Sequence, residues 1–203
     1  RTMKQLLTEH IPFTVDKLLV EQSIKENKPL RVSGIIQRAD VKNHNGRIYE
    51  QEILEREIKK YIDGPVKEKR ALGELDHPDS SVINLNNVSH NIVEVTMNGG
   101  DVHGVIEILT TPAGNILKEL FRCGVTVGIS SRGMGSVEED SDGVLMVQED
   151  FDLLCFDMVS TPSTPGAYLS PMHEGVSTPT TNYTKVHNII RDIICDNTGV
   201  CKC

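Results

Sequence analysis

The chain has 203 residues, with 21 Lys and Arg against 29 Asp and Glu and a formal net charge of −8. That acidic balance argues against a nucleic-acid-binding face, which needs a basic surface. Hydrophobic residues make up 38% and aromatics 4%, with no Trp, a composition lean in rings but too apolar for a disordered chain and long enough for one domain with a real core. No stretch has the apolar length to span a bilayer, and the N-terminus lacks a secretory apolar region. The five Cys are odd in number and irregularly spaced, which disfavours a disulfide framework. The expectation is a soluble, intracellular protein with neither membrane nor nucleic acid as partner.

Residues 1–29 are polar and weakly patterned, with helical turns readable around Val15–Leu19. From Leu30 to Val41, β-branched and apolar residues alternate roughly, which predicts a strand. Asn43–Tyr49 (NHNGRIY) carries an Asn-Gly turn signal. In the next segment Ile53, Leu54, Ile58, Tyr61 and Ile62 fall on one helical stripe, with Gly64-Pro65 as its stop. Strand-like runs at Asn87–Met97 and Asp101–Leu109, joined by Asn98-Gly99-Gly100, predict a hairpin. A short helix is expected at Asn115–Cys123 with Gly124 past its end, then a strand at Val125–Arg132. Ser136–Glu139 and Val144–Gln148 flank Ser141-Asp142-Gly143 as a second hairpin, and Phe151–Ser160 reads as a strand buried on both faces. Many short strands with few helices predict a mainly β, α+β fold built as a closed or nearly closed barrel with helices around it. After Pro171 the composition shifts to a Ser/Thr/Pro linker (Val176–Thr184). An amphipathic helix at Lys185–Cys195 follows, with Val186, Ile189, Ile190, Ile193 and Ile194 on its stripe. The expected division is an N-terminal segment 1–29, a core domain 30–171, a linker 172–184 and a C-terminal helix and tail 185–203.

Three places could carry chemistry. In Gly73-Glu74-Leu75-Asp76-His77-Pro78 the proline pushes His77 into an extended conformation. Glu74, Asp76 and Asp79 stand near enough to orient the ring or raise its pKa. Taken alone, this reads more readily as a surface turn with a solvated His. In Gly128–Ser136 (GISSRGMGS), strand alternation sets Val125, Val127 and Ile129 on one face and Thr126, Gly128 and Ser130 on the other. Small residues leave room beside the Ser130 hydroxyl, a nucleophile if a base reaches it. The bland reading is a Gly/Ser-rich bulge. Asp157, inside an apolar strand, is costly unless paired. It suits a histidine ring nitrogen, as a triad's third member does, or else a set of backbone amides. Asp152 and Glu149 compete for that role. Cys123 and Cys155 are rival nucleophiles, though a thiol in an apolar run is usually inert. Cys195, Cys201 and Cys203 lack a local fourth ligand for zinc, so no metal or other cofactor is expected.

The set NHNGRIY, Ala71–Pro78 (ALGELDHP), Gly128–Ser136 and Val159–Ala167 (VSTPSTPGA) resembles the prohead core proteases of T-even-type phages, in order from about Leu30 to Pro171. The resemblance implies a herpesvirus-assembly-protease-like β-barrel surrounded by helices. It also implies a serine protease in the prohead interior whose substrates are internal scaffold or core proteins and capsid proteins. His77 and Ser130 fall on the family's catalytic positions, and Asp157 is the acid that would orient His77. All three are expected to meet in one exposed groove. The oxyanion donors would come from amides near Ser131, Arg132 and Gly133, or from Ser163 and Thr164. Cleavage after Glu, with Leu or Ile two positions earlier, would call for a basic group such as Arg132 or Arg47; Arg132 can alternatively pair with Glu138 or Glu139. That pattern recurs at Leu7-Thr8-Glu9, Leu19-Val20-Glu21 and Ile24-Lys25-Glu26, expected to be exposed and open to self-cleavage. Copies ending at Glu55, Glu74 and Glu94 lie in segments read as folded. Self-association is also possible on this reading. A catalytically silent scaffold or assembly protein of the same fold is the rival.

Overall fold

The computed structural model describes residues 4–13, 17–160 and 169–171, all within one compact unit, Arg1–Met172. The expected linker, the tail helix, Ser163 and Thr164 lie outside the described residues. Strand β1 (Gln5–Phe13) is followed by α1 (Lys17–Glu26) and β2 (Leu30–Arg38). Then come β3 (Arg47–Ile48), α2 (Gln51–Tyr61) with a π-helical turn Ile62–Val66, and β4 (Leu72–Glu74). The hairpin β5 (Val88–Asn98) and β6 (Asp101–Ile108) leads to α3 (Pro112–Arg122) and β7 (Val127–Gly135). The remainder is β8 (Val137–Glu139), β9 (Leu145–Val147), β10 (Asp152–Val159) and β11 (Leu169–Pro171).

The expected hairpin turns at Gly99, whose φ of 59° is the left-handed backbone a glycine adopts without strain. Helix α2 buries Ile53, Leu54, Ile58 and Tyr61, four of the five stripe residues, and adds Glu57. Helix α3 starts earlier than expected because Thr111 caps it, its hydroxyl accepting from the Gly114 amide, with Pro112 in the first turn. Beyond its end, Gly124 has a φ of 75°.

The ladders of the described residues form three sheets rather than a closed barrel: β1-β7-β10, β11-β2-β6-β5-β4 and β3-β9-β8. Among the described residues no ladder joins β1 to β11, and the seam between β4 and β10 is barely closed. Strand β4 is three residues long, and the two sheets touch through a single parallel bridge, Leu75 to Met158. Buried side chains of β2, β5, β6, β7, β10 and the helices make the main core, including Val32, Ile36, Ile92, Ile106, Phe121, Ile129 and Phe156. A second, smaller cluster gathers Leu7, Tyr49, Ile53, Val147 and Phe151.

Residues 1–29 depart most from expectation. They supply a nine-residue strand, β1, paired antiparallel along the whole of β7, and a ten-residue helix. Leu7 is wholly buried in β1, whereas Glu21 and Glu26 are exposed but lie in α1.

Strand β4 can lie this close beside β10 only because Gly73 lacks a side chain. A Cβ there would stand 2.0 Å from the Phe156 carbonyl oxygen and 2.2 Å from His90 Nε2. Neither atom can withdraw, since His90 Nε2 donates to that same carbonyl at 2.9 Å. Gly73→Ala is therefore expected to cost about 3 kcal/mol by overpacking. The check is a thermal melt, in which the midpoint should fall by roughly 6–12 °C.

Candidate active site

Strand register assembles the site. In the β7–β10 ladder Asp157 lies opposite Ser130, and a bulge between Leu153 and Cys155 brings Cys155 opposite Arg132. Paired residues in an antiparallel ladder share a face, and so do residues two apart. Ser130, Arg132, Cys155 and Asp157 therefore project together. The end of β4 runs alongside β10, joined to it by the parallel bridge Leu75 to Met158. The Glu74 amide donates to Asp157 Oδ1 at 3.0 Å, and the Asp76 amide donates to the Met158 carbonyl at 2.7 Å. Asp76 then takes a left-handed φ of 72°, with its side chain accepting from the His77 amide at 2.9 Å. Asp is one of the residues that tolerate this conformation. The turn swings His77 over β7.

His77 Nε2 reaches Ser130 Oγ at 2.8 Å. On the other side of the ring, Nδ1 lies 2.8 Å from Asp157 Oδ2, at ion-pair distance though off the line of an ideal hydrogen bond. Such contacts are often loosely aligned before substrate binds. Asp157 also faces Arg132, whose Nε stands 2.9 Å from Oδ2 and whose Nη2 donates to Oδ1 at 3.2 Å. The same Nη2 donates to Glu74 Oε2 at 2.8 Å, and Nη1 to the Ser80 carbonyl. Burial opposes the charge on Asp157; the His77 contact, the Glu74 amide and Arg132 outweigh it and hold the carboxyl below its ordinary range. Burial likewise opposes the Arg132 charge, and the Asp157 and Glu74 carboxylates more than restore it. With Asp157 ionised beside Nδ1, the ring keeps its proton there and leaves Nε2 to accept from the serine hydroxyl.

The structure thus brings Ser130, His77 and Asp157 together, but not in an open groove. Ser130, Asp157 and Arg132 are 0% exposed and the His77 side chain 15%. Arg132 pairs with Glu74 and Asp157 rather than with Glu138 or Glu139, and its burial takes it out of the role of a substrate-facing cation. Arg47 lies on β3, in another sheet. Ser131 and Gly133 lie on β7, paired opposite Glu9 and Leu7 of β1. Asp152 is an exposed partner of Lys4, and the Glu149 carbonyl accepts from Arg56. Burial and Asp157 push the Cys155 thiol up, so it stays protonated and unreactive despite Arg132. Sequence reasoning ties Glu74 to His77; its partner is Arg132.

A buried carboxylate, an imidazole and a hydroxyl joined in that order make the arrangement of hydrolases that pair an acid, a base and a nucleophile. Residues 7–178 match the family described as prohead core protein serine protease. The chain belongs to that family. It is 36% identical over 145 residues to the prohead core protein protease of Enterobacteria phage T4, covering 70% of this chain and 68% of that one. The solved structure of the bacteriophage T4 capsid assembly protease, gp21, superposes with a TM-score of 0.68 at 28% identity, over 78% of this chain and 99% of that chain.

Two predictions follow from the charges. His90, buried behind Gly73, accepts from the Ser89 hydroxyl at Nδ1, and burial lowers its pKa to about 4 from an ordinary 6.5. The unfolded chain therefore takes up this proton first as pH falls. Stability should be fully present above pH 6.5 and drop by about 3 kcal/mol on the way to pH 4. The depressed Asp157 adds a further loss at lower pH, as its carboxyl protonates. Urea unfolding across this range should show the decline, and His90→Gln should flatten its upper part. Separately, Arg132→Met leaves two buried carboxylates uncompensated, expected to cost about 3–5 kcal/mol. The deficit relative to wild type should shrink at pH 5.5 compared with pH 8, and Glu74→Gln added to Arg132→Met should recover part of it.

Proposed function

We propose that this chain is a serine endopeptidase of phage head maturation that cuts internal scaffold or core proteins and capsid proteins inside the prohead. The observation that carries this reading is the continuous contact from Ser130 Oγ to His77 Nε2 and from His77 Nδ1 to Asp157, 2.8 Å at each step. Family membership and the T4 relatives support the setting. The β-rich frame with packed helices is read as herpesvirus-assembly-protease-like. An intact, charge-matched triad argues against a silent scaffold protein.

In the mechanism, Ser130 Oγ attacks the peptide carbonyl while His77 Nε2 takes its proton. His77 then returns the proton to the leaving amine. Asp157 holds the Nδ1–H tautomer and stabilises the imidazolium, and Arg132 keeps Asp157 ionised throughout. Peptide binding follows strand addition along β7, with oxyanion donors drawn from amides near Ser131–Gly133.

Strand β1 occupies that path. His10 is the ladder partner of Ser130, and Glu9 that of Ser131. Of the three N-terminal copies of the Leu/Ile-x-Glu pattern, the one ending at Glu9 is extended, as a protease requires, whereas Glu21 and Glu26 are helical. A nucleophile that is 0% exposed cannot meet an external substrate. The reading is therefore a precursor that is blocked by its own strand and cuts after Glu9.

Mass spectrometry of aged wild type should find a new N-terminus at His10. Ser130→Ala and His77→Ala should keep the original one and leave scaffold protein undigested. Identical N-termini in wild type and Ser130→Ala, under conditions where wild type digests scaffold, would remove the self-cleavage step. Digestion of scaffold by purified Ser130→Ala would remove the serine mechanism itself.

A further inference from the structure

We propose that His90 is a positioning residue for the reaction: its ring ties the peptide that carries Asp157 to β5, and so aims the carboxylate at His77. The proposal rests on the triad reading of Ser130, His77 and Asp157.

His90 is wholly buried, and so is Ser89 beside it. The Ser89 hydroxyl lies 2.9 Å from Nδ1, and Nε2 lies 2.9 Å from the Phe156 carbonyl oxygen. A carbonyl can only accept, so Nε2 carries the proton and Nδ1 accepts from the hydroxyl. Burial keeps the ring neutral, which lowers its pKa to about 4. Both nitrogens are therefore committed, in one fixed tautomer.

The bond runs from one sheet to the other. His90 on β5 is the ladder partner of Gly73 on β4, and paired residues share a face. The His90 ring fills the space that a Gly73 side chain would need, and from there it reaches β10. Alternate carbonyls along a strand point to the same edge. Those of Phe156 and Met158 face the seam with β4, where the ladder is a single bridge. The Asp76 amide holds the Met158 carbonyl at 2.7 Å, and His90 holds that of Phe156. Asp157 sits between these two anchors, with Oδ2 2.8 Å from His77 Nδ1. Removing the His90 donor unties the Phe156–Asp157 peptide on that side and leaves a buried carbonyl unpaired. A shift of about 1 Å in a catalytic group can cost on the order of 100-fold in rate.

The test compares His90→Leu, which fills the space without a donor, with His90→Gln, whose side-chain amide can donate in place of Nε2. Ile92→Val, in the main core on the same strand, controls for lost stability. Two quantities are read: the rate of scaffold digestion, and the NMR signal of the His77 Nδ1 proton. His90→Leu should slow digestion about 10- to 100-fold and weaken the deshielding of that proton. His90→Gln should recover most of both, and Ile92→Val should change neither. Ser89→Ala, which frees the His90 tautomer, should give a smaller loss in the same direction. It decides the matter if His90→Leu does not fold. Full activity with an unchanged His77 signal in the deciding variant overturns the proposal. So does an equal loss in His90→Gln and His90→Leu, or the same loss in Ile92→Val. Wild type that leaves scaffold undigested overturns the protease reading alone, and the NMR signal, which needs no substrate, then decides on His90.

Discussion

A guanidinium with no solvent exposure, held between two buried carboxylates, is the constraint on which the rest of the structure depends. Moving Arg132 out of water costs several kcal/mol, and only well-placed opposite charge offsets it. Asp157 and Glu74 supply that charge, at 2.9 and 2.8 Å. Because Asp157 comes from β10 and Glu74 from β4, the pairing adds a charged fastening between two sheets whose ladders meet only at the Leu75–Met158 bridge among the described residues. It also sets the chemistry, since an ionised Asp157 fixes which nitrogen of His77 carries the proton. Stability and site geometry are the same interaction seen from two sides.

That interaction was only half legible in the sequence. Asp157 stands out as a carboxylate in an apolar strand, and small residues flank the Ser130 hydroxyl, though β7 is a central strand and the room they suggest beside it is filled. The hairpin at Asn98-Gly99-Gly100 and the stripe of α2 follow from local turn chemistry and helical period. Arg132 shows no such mark. Its partner Glu74 lies 58 residues earlier, and nothing local distinguishes that pairing from one with Glu138 or Glu139. Strand β1 was missed for a similar reason. Gln5–Phe13 mixes charge, Pro12 and apolar residues without alternation, and its ladder partner lies more than a hundred residues away in β7. The closed barrel is an extrapolation from strand count; the described ladders stop at two seams, β4 to β10 and β1 to β11.

The position of β1 links folding to control on the proposed reading. A strand that completes the β7 edge and buries Leu7 in the smaller cluster adds buried area to the precursor, and the same contacts keep Ser130 from solvent. Its release would exchange some stability for access.

The central claim is that Arg132 and Asp157 hold His77 as the Nδ1–H tautomer facing Ser130. The most direct measurement is NMR of the chain with isotope-labelled histidine, assigned by His77→Gln. At neutral pH the account predicts a protonated Nδ1 and an unprotonated Nε2 for His77, with a strongly deshielded Nδ1 proton. A His77 ring protonated at Nε2, or exchanging freely between tautomers in the folded chain, would contradict it.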